Sequence, residues 1–352
     1  MTQKDDQVDD FFSRVEKALA KKELNIPGYR ASDVRVASHI PYGIRTRMPQ
    51  LDLAMGRPGY PVGRVIELYG LPYCGKSTAG FLAIAETQKQ GGMAILIDTE
   101  TAFEPMRAAE IGVDIDNLKI YSPETIQETF TLIGQLLDSL INFNKPIVIV
   151  VDSVTAVPTK WQGEKGLTNQ KPGELAQQIK MGMKMITSKV AKKKALLLLV
   201  NHAHETMAMY GKKTTSSGGH AIKFFSSNRI EFKHAKTLKT ADGKERLGQE
   251  IKVNIEKLKV AKLRHPDFKI NLMVDGGFDT MGSLLEAMIS IGMVNHPKGS
   301  KVYTLETGTE FAKIEWPQVV ADNGGLDAMY EHFIKEACAR GHMIPWGSQE
   351  NG

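Results

Sequence analysis

Gly70 to Ser77 (GLPYCGKS) matches the spacing G-x-x-x-x-G-K-[ST]. Such a loop turns backbone N–H groups inward and sets a cation and a hydroxyl at fixed offsets, which is the chemistry of cradling a polyphosphate. Gly70 and Gly75 allow the curl, and Leu71, Pro72, Tyr73 and Cys74 complete the loop. Cys74 reads as a small residue tolerated there rather than a reactive thiol. Lys76 suits the β- and γ-phosphates, Ser77 suits Mg2+, and Thr78 continues into a helix whose N-terminus adds positive character. Asp152 closes the apolar run PIVIVV; a carboxylate there reaches a neighbouring strand's phosphate site and the hydration shell of Mg2+, or it caps the next turn. Asp98 and Glu100 follow the run MAILI. Either can orient or deprotonate an attacking water, or belong to a surface turn, and spacing alone does not separate them.

These groups need elements to hold them. The pattern predicts strands at Arg64–Tyr69, Met93–Ile97, Leu118–Tyr121, Pro146–Val151 and Ala195–Val200, with helices at Lys76–Lys89, Glu124–Ile141 and Glu174–Lys193. Continuous apolar strands spaced by helices imply a mainly parallel sheet covered on both faces. After Gly219 apolar and polar residues alternate through Arg229–Lys233, Glu250–Val260 and Lys269–Val274, which predicts an antiparallel extension. From about residue 280 a small α/β appendage is expected: a helix through Leu284–Ile291, a hairpin near Lys301–Phe311 and a helix near Leu326–Ala339. Residues 5–21 read as an amphipathic helix carrying Phe11 and Phe12, followed by a linker with Pro27, Gly28, Pro41 and Gly43. The expected division is 1–60 (polymerisation helix and linker), 61–279 (nucleotide-binding core) and 280–352 (C-terminal appendage).

Composition bounds the rest. The chain has 352 residues, 42% hydrophobic and 24% charged, with two cysteines. It is long enough to bury a core without staples, and its composition excludes a collagen, a coiled coil and a disordered tail protein. No apolar run approaches the roughly twenty residues of a membrane span, so no membrane partner is expected. MTQKDDQVDD opens without an apolar stretch, and with two cysteines a reducing cytoplasm is the expected compartment. The net charge of +5 conceals a division: Lys189–Arg264 holds 18 Lys+Arg against 6 Asp+Glu, and the remainder 27 against 34. That basic quarter is either solvated lysine or a polyanion-binding face.

The chain resembles the RecA recombinase family over nearly its whole length, and more closely its phage branch typified by UvsX. The resemblance is carried by MAILIDTETAFEPMRAAEIGVDIDNL, by VIVVDSVTAV, by VNHAHETMAMYGK with SSGGHAIKFFSSNRIEF, and by NIEKLKV and MVDGGFDTMGSLLEAM. It implies an α/β fold with a RecA-type P-loop NTPase core: a mainly parallel sheet with an antiparallel extension, helices on both faces, and small N- and C-terminal appendages. It implies that Glu100, rather than Asp98, activates water. His202 matches the γ-phosphate sensor, and Lys257 and Lys259 match lysines that reach a neighbour's ATP across a filament interface, supplying charge in trans. Phe224 matches an interface phenylalanine, and Phe11 and Phe12 lie on the helix that would dock on an adjacent core.

Two polar segments, about 160–173 and 203–219, match the family's DNA loops, with Trp161, Lys165, Lys171, Met207, Lys212, Lys213, Gly218 and Gly219 as candidate contacts. The sequence departs from the family at the nucleotide base: Arg107 stands where a stacking tyrosine is usual, with Glu104 at the matching acidic position. The implied protein is an ATP- and Mg2+-dependent recombinase forming a helical homo-oligomer on single-stranded DNA and pairing it with double-stranded DNA, with single-strand-binding and mediator proteins as partners. The alternatives are a ring-forming motor on the same core or an accessory DNA-binding paralogue.

Overall fold

The computed structural model describes residues 3–23, 40–141, 143–165, 173–205, 214–261 and 267–346. It divides into two compact units, 1–39 and 40–352. The first is described by helix α1 (Gln3–Ala20), on which Phe11 and Val15 are exposed. The side chain of Phe12 lies outside the described residues.

The second unit opens with β1 (Gly43–Ile44), α2 (Pro49–Met55) and β2 (Tyr60–Pro61), then alternates: β3 (Val65–Gly70), α3 (Lys76–Lys89), β4 (Met93–Asp98), α4 (Pro105–Glu110), β5 (Lys119–Tyr121), α5 (Ile126–Asp138), β6 (Ile147–Asp152), α6 (Lys160–Lys165), α7 (Glu174–Lys193) and β7 (Leu196–Glu205). Next come β8 (Thr214–Ser216), α8 (His220–Phe225), the long strands β9 (Asn228–Lys239), β10 (Arg246–Leu258) and β11 (Asp267–Met273), and α9 (Thr280–Ser290). The chain closes with β12 (Val294–Asn295), β13 (Val302–Leu305), β14 (Glu310–Ala312), α10 (Trp316–Asp322) and α11 (Gly325–Ala339).

Among the described residues the main sheet runs β11-β10-β9-β3-β7-β6-β4-β5, with β8 paired to the end of β7. Neighbours from β9 to β5 are parallel, whereas β10 is antiparallel to both β9 and β11. Alternate residues of one strand feed opposite cores. Ile66, Leu68, Val150 and Leu198 face one core, and Val65, Ile149, Leu197 and Leu199 the other. This is why these strands read as unbroken apolar runs.

Residues 40–60, which the sequence suggested were linker, are folded. Ile44, Met48, Leu51, Met55 and Tyr60 are fully buried in the core beside β3, so the folded body begins near residue 40. The C-terminal elements have their own core of Leu284, Met288, Tyr303, Trp316, Tyr330 and Phe333, into which Leu53 of α2 reaches. Asp52 fastens the two. Its carboxylate accepts from Tyr330 Oη at 2.5 Å, Thr46 Oγ1 at 2.9 Å and the Gly59 amide at 3.1 Å. Burial pushes its carboxyl up to about 6, against the pull of those bonds and of Arg45. Two further differences concern the expected loops. Lys160–Lys165 form α6, and β7 continues to Glu205 before β8 returns beside it, with Ala203 opposite Ser216. No described helix is long and apolar enough to cross a membrane.

Candidate nucleotide site

The phosphate loop starts where β3 lies tight against β9. A Cβ on Gly70 would stand 2.1 Å from the Phe232 carbonyl oxygen, so no side chain fits. At Gly75 φ is +84°, and the Phe278 ring would lie 2.6 Å from an added Cβ. With both glycines in place the loop closes onto α3, whose first-turn amides have no partner within the helix. Lys76 is almost wholly buried, and its Nζ donates to the Leu71 carbonyl at 2.7 Å. Burial lowers its pKa, while Cys74, Asp152 and Glu100 oppose that shift.

Asp152, at the tip of β6, accepts a hydrogen bond from Ser77 at the start of α3. Burial pushes its carboxyl up; Ser77 and Lys76 oppose this, while Glu100 and Asp98 add to it. A hydroxyl and a hard carboxylate oxygen, in a place where carboxylates crowd one another, fit Mg2+.

The structure separates the two acids that spacing left open. Asp98 is consumed by the turn: it accepts from the backbone amides of Glu100 at 3.2 Å, Ala102 at 3.4 Å and Phe103 at 3.0 Å. Glu100 instead lines the cavity, where its Oε1 accepts from His202 Nε2 at 2.6 Å. Burial alone would raise the Glu100 carboxyl. The hydrogen bonds from His202 and Ser153, with the charges of His202 and Lys76, outweigh it and hold the group below the ordinary glutamate value.

The cavity measures about 630 Å³. Its floor is the phosphate loop, with Glu100, Asp152 and His202. Its far wall comes from elsewhere in the chain: Arg107 of α4, Arg246, Gly248 and Gln249 of β10, and Leu272 to Val274 at the end of β11. Gln249 donates to the Tyr73 carbonyl and accepts from Arg246 at 3.1 Å, so the wall is tied to the loop. Arg107 donates to the Val274 carbonyl. Glu104 does not line the cavity: its carboxylate caps α4, accepting from the amides of Met106 at 3.1 Å and Arg107 at 2.7 Å.

The remaining sequence candidates fall into two groups. Lys257, Lys259 and Phe224 lie outside the cavity. Lys257 Nζ donates to the carbonyls of Lys223 at 2.5 Å and Phe224 at 3.0 Å, at the end of α8. Burial, then Lys259 and Arg229, push its pKa down to about 8. Lys259 is exposed, as is Phe224, which meets Phe225 edge to face. The second group lies at the DNA-loop segments. Trp161 is half-buried on α6; Gly218 and Gly219, with φ of +80° and +73°, lead into α8. Lys165 ends α6, its side chain outside the described residues, as are Lys171, Met207, Lys212 and Lys213 entirely.

A phosphate loop between a parallel strand and a helix, facing a glutamate–histidine pair, defines a P-loop nucleotide-hydrolysing protein. The RecA N-terminal domain family matches residues 7–279. Protein RecA of Ruminococcus albus is 33% identical over 349 residues, covering 96% of this chain and 81% of the relative. Protein RecA of Bacteroides thetaiotaomicron is 34% identical over 292 residues, 82% of this chain and 85% of the relative. That of Halalkalibacterium halodurans is 35% identical over 248 residues, 69% and 68%. The chain belongs to the RecA family. It is a RecA-type recombinase, a DNA-dependent ATPase that uses ATP with Mg2+.

Proposed function

We propose that the 630 Å³ cavity is where this recombinase hydrolyses ATP, and that the Glu100–His202 pair is its chemical centre. The observation that carries the assignment is the 2.6 Å contact between them above the phosphate loop. The depressed carboxyl of Glu100 keeps it ionised at neutral pH, ready to take a proton from a water aligned with the γ-phosphate. His202 holds Glu100 in place and sits where loss of the γ-phosphate would be felt at the tip of β7. Lys76 balances phosphate charge. Ser77 and Asp152 would hold Mg2+, which supplies charge neutralisation at the phosphates. Lys257 and Lys259 act on a neighbouring protomer's ATP, so hydrolysis awaits assembly.

The filament forms on single-stranded DNA, which residues 160–173 and 203–219 line, and it pairs that strand with homologous double-stranded DNA. Base pairing supplies sequence matching while the protein holds the backbone. Residues 1–39 serve polymerisation, 40–279 the ATPase core and 280–352 an appended α/β unit. The histidine at 202, where the resemblance puts a glutamine in RecA and a histidine in the phage branch, favours the UvsX-like branch. The working place is then a bacterial cytoplasm, including that of an infected host, with single-strand-binding and mediator proteins as partners.

Phosphate release is expected to rise with single-stranded DNA and to vanish in Lys76→Ala. D-loop formation is expected with ATP. ATP turnover indifferent to DNA, or rings of fixed size in micrographs, would sink this reading.

A further inference from the structure

Strand β10 carries a register shift. Ile255 pairs with Ile230 of β9, yet the next partner, Arg229, faces Lys257 and not Glu256. Glu256 is thus an extra residue, a β-bulge, and a bulge re-aims the side chains beyond it. Ile251, Val253 and Ile255 all enter the core on one face of the sheet. Under strict alternation Lys257 would join them in that apolar core. The extra residue resets the count. Leu258 packs against that core instead, and Lys257 emerges on the opposite face, where it reaches the carbonyls of α8. Lys259 continues in the same phase.

Side chains from two other strands hold the bulge. Glu256 Oε2 accepts from Tyr69 Oη of β3 at 2.8 Å and from Arg229 of β9. Arg229 Nε donates to Glu67 Oε2 at 2.5 Å, and its guanidinium lies 4.7 Å from the Tyr69 ring centre. Glu67 is fully buried and also accepts from Asn201 Nδ2 at 2.8 Å. A guanidinium set between two carboxylates inside a sheet is stable only when its groups are bonded in fixed geometry. That geometry fixes Glu256 immediately before Lys257.

We infer that Glu256 is a positioning residue: its carboxylate, gripped by Tyr69 and Arg229, pins the bulge that turns Lys257 and Lys259 toward a neighbouring protomer's nucleotide. The inference rests on the role proposed above for those two lysines. In DNA-stimulated phosphate release, Glu256→Ala lowers kcat about 10-fold and leaves KM for ATP within about two-fold. Glu256→Gln, which keeps an oxygen acceptor for Tyr69, recovers most of the rate. Tyr69→Phe removes one hydroxyl from a filled core, so it folds, and it lowers kcat about three-fold. In a Lys257→Ala, Lys259→Ala background none of these changes lowers the rate further, because Glu256 acts through the lysines. Equal fractional losses in both backgrounds, or a wild-type kcat in Glu256→Ala, would overturn the positioning role alone. Full turnover in the double lysine variant would overturn the role of the lysines, and the inference with it. A wild type unmoved by DNA would instead overturn the reading of the whole protein.

Discussion

Of the carboxylates near the phosphate loop, Glu100 is the one to which we assign proton transfer. Asp98 is occupied by three backbone amides, and Asp152 is held by Ser77. Replacing Glu100 with Gln keeps its shape and removes its basicity. ATP turnover is expected to fall about 10²- to 10⁴-fold, while fluorescent-nucleotide titration shows ATP binding retained. The surroundings set the sign of the pH response. Burial raises the Glu100 carboxyl, and His202 is the foremost of the groups that bring it down. With Glu100 as the proposed base, activity requires its ionised form, so the acid limb of the wild-type profile is expected below the ordinary glutamate value. In His202→Ala the hydrogen bond and charge that hold Glu100 down are lost while burial remains, so the acid limb of the residual activity moves to higher pH. A limb that stays in place would remove His202 from this role.

At the scale of elements, the close approach of β3 to β9 and the attachment of α11 to α2 are both testable. Gly70→Ala would press a methyl against the Phe232 carbonyl and part the two strands, a loss of about 2 kcal/mol or more in thermal or denaturant unfolding. Asp52 titrates at about 6 when folded, above its unfolded value, so the folded state holds an extra proton between those limits. Its contribution therefore falls as pH rises through that window and is flat above it, a span of about 3 kcal/mol. Asp52→Asn removes the dependence. The stability of the wild type minus that of the variant should decline from about pH 4 to about pH 6, and a constant difference would refute the linkage.

The inner parallel strands β3, β4, β6 and β7 were legible in the sequence because burial on both faces leaves continuous apolar runs, as were the helices at Lys76–Lys89 and Glu174–Lys193. Strand β9 was read with the antiparallel strands because its residues alternate, yet it runs parallel to β3. Helix α4 was missed: six residues starting at Pro105 give no period, and its start depends on Glu104 turning back as a cap. The segment 40–60 was missed because its apolar residues are scattered among glycines and prolines and meet only in the core. The cavity's far wall was illegible for another reason. Gln249 and Val274 reach Tyr73 and Arg107 from strands far along the chain, and nothing in their spacing marks the encounter. The bulge at Glu256 needs the register of β9 to be visible at all. The available signal was chemical: Glu67 inside the apolar run RVIELY has to be paired, and Arg229 begins another buried strand.

For the whole molecule, the division at residue 39 lets the proposed polymerisation role of residues 1–39 be tested apart from folding. Residues 40–346 contain complete cores, so removing residues 1–39 should leave the melting temperature nearly unchanged. Filaments in micrographs and DNA-stimulated turnover should both be lost. Persistence of long filaments would deny α1 its role. The charge asymmetry also acts at this scale. Some cations of the basic stretch are spoken for: Arg229 is buried between carboxylates, Lys233 leans on Glu231, and Lys236 leans on Glu250. Affinity for single-stranded DNA should still fall steeply with salt, with a log–log slope of about −0.7 per phosphate neutralised.

The end of β7 is tied back onto itself through β8. His202 stands three residues before Glu205, and the strand returns through Thr214, the partner of Glu205. Ser217 then closes the figure, its amide and hydroxyl both grasping the His202 carbonyl, at 2.9 Å and 3.0 Å. Both anchor points of residues 206–213 are therefore riveted to the residue beside Glu100. A displacement of that histidine is therefore expected to pull on both Glu205 and Thr214, the two ends from which the segment departs.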